Sequence, residues 1–159
     1  MLYFYPIIME NNHFLKNALL SKSKDFVKKQ EETITNLIAS LRSDLNRESK
    51  SSAGDKHETG RAMLQLEMEK SGQQLQGILQ MQMTLQSIQR GHATDTACLG
   101  ALVLTNKGNY YLAVSVGEIW IEGTSYFIIS TKSPIGQQLL GKKKGDHISF
   151  NGATISSVL

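Results

Sequence analysis

Ser51-Ser52-Ala53-Gly54-Asp55-Lys56-His57-Glu58-Thr59-Gly60-Arg61 is a short polar stretch between two long segments of helical periodicity. Small residues and glycine followed by charges mark the end of one helix and the start of another. Two amphipathic helices joined by so short a link pack as an antiparallel hairpin, and the stretch is then its tip. Asp55 and Glu58, three residues apart, fall on one face of the first turn after the bend. The same spacing is that of a capping box, and carboxylates at a helix start are favoured by the helix dipole. The pair therefore has a structural reading as well as a functional one.

Upstream of the tip, the segment from about Ser21 or Ser23 to Asn46 places Val27, Ile34, Leu37, Ile38, Leu41 and Leu45 at three- and four-residue intervals. Lys28, Lys29, Glu31, Glu32, Arg42 and Asp44 fill much of the opposite face. Ser23, two residues before Asp25, is the expected N-cap, with a short turn or helix before it over Asn12 to Leu20. A helix of about 25 residues is roughly 40 Å long, more than a compact domain of this size accommodates. Downstream, from about Glu58 to Gln89, the positions Leu64, Met68, Ser71, Leu75, Ile78, Gln82 and Leu85 alternate intervals of four and three. That is the period of a left-handed coiled coil. Met63, Met81 and Met83 flank this seam, which is read as interhelical core.

After Arg90-Gly91-His92 the pattern changes from helical to extended. Strand-like runs are expected over Ala97 to Leu104, Tyr110 to Val116, Glu118 to Ile121 and Ser125 to Ser130, with turn chemistry at Asn106-Lys107-Gly108-Asn109 and Glu122-Gly123-Thr124. Ser133-Pro134 supplies an N-cap followed by proline at the first helical position, predicting a short helix over Pro134 to Leu140 that stops at Gly141. His147 to Phe150 and Ala153 to Val158 flank Asn151-Gly152, a strong hairpin turn. The fold class is thus α+β: an N-terminal antiparallel coiled-coil hairpin over 9–92, then a small antiparallel β domain with one short helix over 93–159. Met1 to Ile8, apolar and aromatic, lack a basic region before them and a cleavage site after them, and are read as an upstream extension outside the fold.

Composition sets bounds on function. The chain has 159 residues, is 40% hydrophobic and carries a net charge of +3, which allows a core and permits an acidic partner. Without a basic arm or a dense Lys/Arg stripe, sequence-specific DNA binding is not indicated. One cysteine, Cys98, excludes an internal disulfide framework and points to a reducing, cytoplasmic setting. No segment reads as a membrane span. His13, His92 and His147 have no metal-ligand spacing. Asp95-Thr96-Ala97-Cys98 resembles the segment around the nucleophilic cysteine of β-ketoacyl synthases, but the rest of that much larger enzyme is missing.

The run Ile129-Ser130-Thr131-Lys132-Ser133-Pro134-Ile135-Gly136-Gln137-Gln138-Leu139-Leu140-Gly141-Lys142-Lys143-Lys144-Gly145-Asp146 resembles the C-terminal signature of the Gre family of bacterial transcript cleavage factors. In that family a Ser-Pro-Ile segment leads through a short helix to Gly-Lys and then Gly-Asp. Gly54-Asp55-Lys56-His57-Glu58 matches the spacing of the family's acidic hairpin tip. The resemblance covers nearly the whole chain from about Ser21 and preserves the order of the parts.

The resemblance implies an FKBP-like C-terminal domain that binds the rim of the RNA polymerase secondary channel, and a coiled coil that inserts its tip toward the polymerase active centre. Asp55 and Glu58 would help hold a catalytic Mg2+ shared with the polymerase, so that the polymerase's own centre cuts backtracked RNA near its 3′ end. The chain would be an accessory elongation factor with no enzyme activity of its own. Lys56, His57 and Arg61 would steer RNA phosphate, or else form a solvated basic edge. Ser133, Pro134, Lys142, Lys143 and Lys144 would face the polymerase, or else cap a helix and fill a solvated turn. The family tip usually continues Glu-Asn-Ala with an aromatic residue soon after, whereas here Glu58 is followed by Thr59, Gly60 and Arg61. That difference leaves room for a channel-binding inhibitor of transcription with the same fold; the alternative of a different class is a coiled-coil adaptor without polymerase activity, its tip serving only as a helix cap.

Overall fold

The computed structural model describes residues 4–50, 55–88 and 94–159, with side chains over 11–50, 58–88 and 94–159. Two long helices, α1 (Phe4–Lys50) and α2 (Asp55–Ser87), are followed by strands β1 (Leu102–Thr105), β2 (Gly108–Ala113), β3 (Gly117–Ile121) and β4 (Thr124–Ser130). A short helix α3 (Pro134–Leu139) then leads to β5 (His147–Ile148) and β6 (Ala153–Val158). The fold class is α+β, as the periodicities predict. Among the described residues no helix is long and apolar enough to cross a membrane.

Helix α1 starts well before the predicted point. Pro6 falls in its first turn, where a missing N–H breaks no intrahelical bond. Ser23 is consequently not an N-cap. It lies fully buried in the helix interior, where its hydroxyl donates to the Leu19 carbonyl at 2.8 Å. That local bond satisfies the polar group and lets a serine occupy an apolar position.

The chain divides into two compact units, Phe26–Gln82 on one hand, and Met1–Asp25 with Met83–Leu159 on the other. In the first, Val27, Ile34 and Leu41 of α1 are buried, as are Ser71 and Ile78 of α2, while Leu64, Met68 and Leu75 are half-buried. These are the seam positions of the three-four repeat. The flanking residues Met63 and Leu37 are exposed, so the seam is narrow, as in a coiled coil rather than a broad globular face. Direction is antiparallel: Gln82 near the end of α2 bonds to Glu31 early in this part of α1, while Leu41 and Glu48 share a groove with Gly60, Met63 and Leu64. Glu31 is half-buried beside the seam rather than on the outer face where its charge predicts it.

The second unit is built on a six-stranded sheet in the order β3-β4-β2-β1-β6-β5. Four pairings are antiparallel, but β2 runs parallel to β4, with Tyr110 opposite Phe127 and Leu112 opposite Ile129. The sheet is therefore mixed rather than wholly antiparallel, because β3 hairpins onto the outer side of β4 and leaves β4's inner edge for β2. Predicted strand β1 is also shorter than the apolar run. Ala97 to Ala101 turn instead, with Gly100 at φ +85°, and the Gly100 N–H donates to the Leu112 carbonyl at 2.7 Å.

Alternation along the strands sorts two buried faces. Val103, Tyr110, Leu112, Ile155 and Leu139 of α3 form one core, onto which Phe127 and Ile129 pack; the Tyr110 and Phe127 rings stack at 5.8 Å. The residues between them, Leu102, Tyr111, Ala113 and Ile128, point the other way and are buried too. The same unit contains the buried leucines Leu19 and Leu20 of α1 and Leu85 of α2, and Ile88 lies against Gly100. Burial on both faces gives a small sheet more apolar area than one face alone would supply.

Candidate functional site

The acidic pair sits where the tip reading expects the second helix to begin. Asp55, Lys56 and His57 are the first residues of α2, and their side chains lie outside the described residues, as does the stretch Ser51–Gly54 entirely. Asp55 and Glu58 are positions one and four of the helix, which places them on one helical face. Glu58 and Arg61 are exposed. Gly60 is helical with open space around it, the closest side-chain atom to a Cβ built there being Glu48 Oε1 at 4.0 Å. A groove lined by Leu41, Asp44, Arg47, Glu48, Gly60, Met63, Leu64 and Glu67 runs between the helices next to this region. Its charged rim includes the Arg47–Asp44 ion pair.

The Ser-Pro-Ile-Gly run forms a compact lock in the other unit. Ser133 adopts the extended N-cap conformation; its hydroxyl donates to the Ser130 carbonyl at 2.6 Å and accepts from the Gly136 N–H at 3.1 Å. Pro134 follows at the first helical position and is exposed. Gly136 is buried, and a Cβ there would meet the Ser130 carbonyl oxygen at 2.1 Å. The motif's glycine is thus demanded by the close approach of α3 to the end of β4. The Ser133 hydroxyl is spent within the fold, so the outward-facing part of this segment is Pro134 and its surroundings.

The lysine run follows the other end of α3, a helix of six residues that is roughly 9 Å long. Lys143 and Lys144 are exposed and Lys142 is half-buried. The turn is pinned on its inner side: the Ala97 N–H donates to the Lys142 carbonyl and the Gly141 N–H to the Ala97 carbonyl, each at 2.8 Å. Asp146 Oδ2 accepts from the Lys143 N–H at 2.8 Å, so the aspartate of the Gly-Asp pair closes the turn. Pro134 and the lysines thus lie at opposite ends of one short helix.

Sequence reasoning did not anticipate the cleft of about 170 Å³ lined by Lys16, Ser87, Thr94, Cys98, Leu99, Gly100 and Ala101. Burial lowers the Lys16 pKa from its ordinary value, and the neighbouring Cys98 pulls it partway back. Cys98 is a free, half-buried thiol. Nothing in the local sequence links Lys16 to Cys98, which are brought together only when α1 folds beside the sheet. Among the described residues no group of three histidine, cysteine or acidic side chains is placed to hold a metal ion.

No protein-family model matches this chain, and no curated protein matches it.

Proposed function

We propose that the chain is a Gre-like transcription elongation factor, acting on bacterial RNA polymerase and using Asp55 and Glu58 to promote cleavage of backtracked RNA by the polymerase's own centre. The observation that carries this reading is the conjunction of two parts in one order. A helical hairpin restarts with Asp55 and Glu58 on the first turns of α2, and a small sheet domain follows whose Ser133-Pro134 pair caps α3. The β domain would be FKBP-like, and would anchor the factor at the rim of the secondary channel.

Two carboxylates on one helical face fit a cation that another protein mostly holds. Magnesium prefers octahedral oxygen coordination and often takes only one or two protein carboxylates, with water and phosphate filling the shell. When bound, it would supply charge neutralisation at the scissile phosphate and a water of lowered pKa. Asp55 and Glu58 would each contribute a carboxylate oxygen, and the exposed Arg61, with Lys56 and His57, would draw the RNA backbone toward the tip. Pro134, Lys143 and Lys144, all exposed, would contact the polymerase at the opposite ends of α3.

The test is cleavage of labelled RNA in a stalled, backtracked elongation complex of the cognate polymerase, comparing the wild-type chain with Asp55→Asn/Glu58→Gln. Shortened RNA with the wild type alone supports the reading. Polymerase binding with suppressed RNA synthesis and no shortening would identify a channel inhibitor, and absence of polymerase binding would leave a coiled-coil adaptor whose tip carboxylates only cap α2.

A further inference from the structure

Asn151-Gly152 is the chain's single Asn-Gly pair. In an open chain such a pair is chemically unstable, because glycine leaves its backbone nitrogen unhindered for attack on the preceding side-chain amide. Here the three polar atoms of that reaction are engaged. Asn151 Oδ1 accepts from the Ala153 N–H at 3.0 Å, and Nδ2 donates to the Tyr110 hydroxyl at 3.2 Å. The would-be nucleophile, the Gly152 nitrogen, donates its proton to the Ile148 carbonyl at 2.9 Å. Lys107 Nζ donates to the Asn151 carbonyl at 2.7 Å and ties this turn to the β1–β2 turn. The neighbours that hold these partners, Tyr110, Ile148 and Ala153, belong to the buried core of the sheet.

We infer that Asn151 is a latent deamidation site gated by the fold: closed while the β5–β6 hairpin is docked on Tyr110, open when unfolding releases that hairpin. In the open state the Gly152 nitrogen gives up its proton and attacks Asn151 Cγ. The new C–N bond closes a succinimide, the Cγ–Nδ2 bond breaks, and Nδ2 leaves as ammonia after taking up a proton. Water then opens the ring to aspartate or isoaspartate, with no change in oxidation state. Either product removes the amide donor to Tyr110 and places a carboxylate in the turn. Isoaspartate also adds a methylene to the main chain, which spoils the pairing of Ile148 with Ala153 and of His147 with Thr154. The reaction therefore records past opening of the hairpin and hinders its return.

The experiment incubates the full chain at mildly alkaline pH in buffer and across a urea series. Conversion at residue 151 is read by peptide mass and by isoaspartyl-specific methyl transfer, and the unfolded fraction by circular dichroism in the same samples. The expected result is conversion at least about tenfold slower in the folded than in the unfolded chain, with a rate that follows the unfolded fraction. Equal rates in buffer and in high urea, or a rate flat across the unfolding transition, would overturn the inference.

Discussion

The side-chain amide of Gln82 on α2 donates to the carboxylate of Glu31 on α1, a bond across the hairpin between residues 51 apart in sequence. Apolar seams alone tolerate a shift of one heptad with little loss, whereas a polar pair at a half-buried seam position is satisfied in one register only. The Glu31–Gln82 bond is therefore a register lock for the hairpin, and the register fixes which part of α1 faces the start of α2.

Replacing Gln82 with Ala should cost about 1 kcal/mol in urea unfolding. A double-mutant cycle with Glu31→Ala should give a coupling energy on the order of 1 kcal/mol. Strict additivity of the two substitutions would show that the bond does not contribute.

Glycines on two helices should respond oppositely to alanine. Gly60→Ala places a methyl in open space on α2 and should stabilise the chain by about 1 kcal/mol through helix propensity. Gly136→Ala drives a Cβ to 2.1 Å from the Ser130 carbonyl oxygen and should destabilise by about 3 kcal/mol, or rearrange α3. Thermal unfolding of the two variants in parallel checks both signs.

Ser133→Ala removes the acceptor for the Gly136 N–H and the donor to the Ser130 carbonyl, and should lower stability by about 1–2 kcal/mol. Pro134→Ala should change stability by less than about 1 kcal/mol, since proline here is exposed and already in the first turn. If the proposed function holds, the order should invert in polymerase binding, Pro134→Ala weakening association more per unit of stability lost. If Pro134→Ala leaves binding untouched, the rim-facing assignment of this segment fails.

Charge removal at Lys143→Gln/Lys144→Gln should leave the unfolding midpoint essentially unchanged, because both side chains are exposed and only the Lys143 backbone holds the turn. On the proposed function, association with the polymerase should slow, and its dependence on salt should flatten. An unaltered salt dependence would remove these lysines from the interface.

Burial pushes the Tyr111 phenol up to about 12. Above pH 10 the unfolded chain releases this proton while the folded chain keeps it, so the folded state binds more protons and stability falls as pH rises. The contribution is fully present below pH 10 and is lost between pH 10 and about 12, amounting to about 2–3 kcal/mol at the upper end. Urea midpoints at a series of alkaline pH values should show a steeper decline for the wild type than for Tyr111→Phe.

Much of the fold was legible because its signals are local. The alternating intervals from Leu64 to Leu85 identified the buried side of α2, and Ser71, a serine on that seam, is fully buried as the register requires. Turn and cap chemistry located β2 to β4, α3 and the Asn151-Gly152 hairpin to within a few residues. The local placement of the candidate residues was legible: Asp55 and Glu58 share the first turns of a helix, and Ser133 caps α3. The start of α1 was not legible, since Ser23 carries a cap's chemistry and only its burial shows that the hydroxyl turns back to Leu19.

The sequence by itself determined most of the helices and strands, though not the start of α1 or the extent of β1, because periodicity, caps and turns act over a few residues and leave their pattern in adjacent positions. Tertiary structure alone decided the parallel β2–β4 pairing, the approach of Gly136 to Ser130, the meeting of Lys16 with Cys98 and the closure of Asn151 against Tyr110. Those relationships join positions far apart in the chain, and they are selected by burying both faces of one sheet at once, a condition that no local stretch of residues expresses.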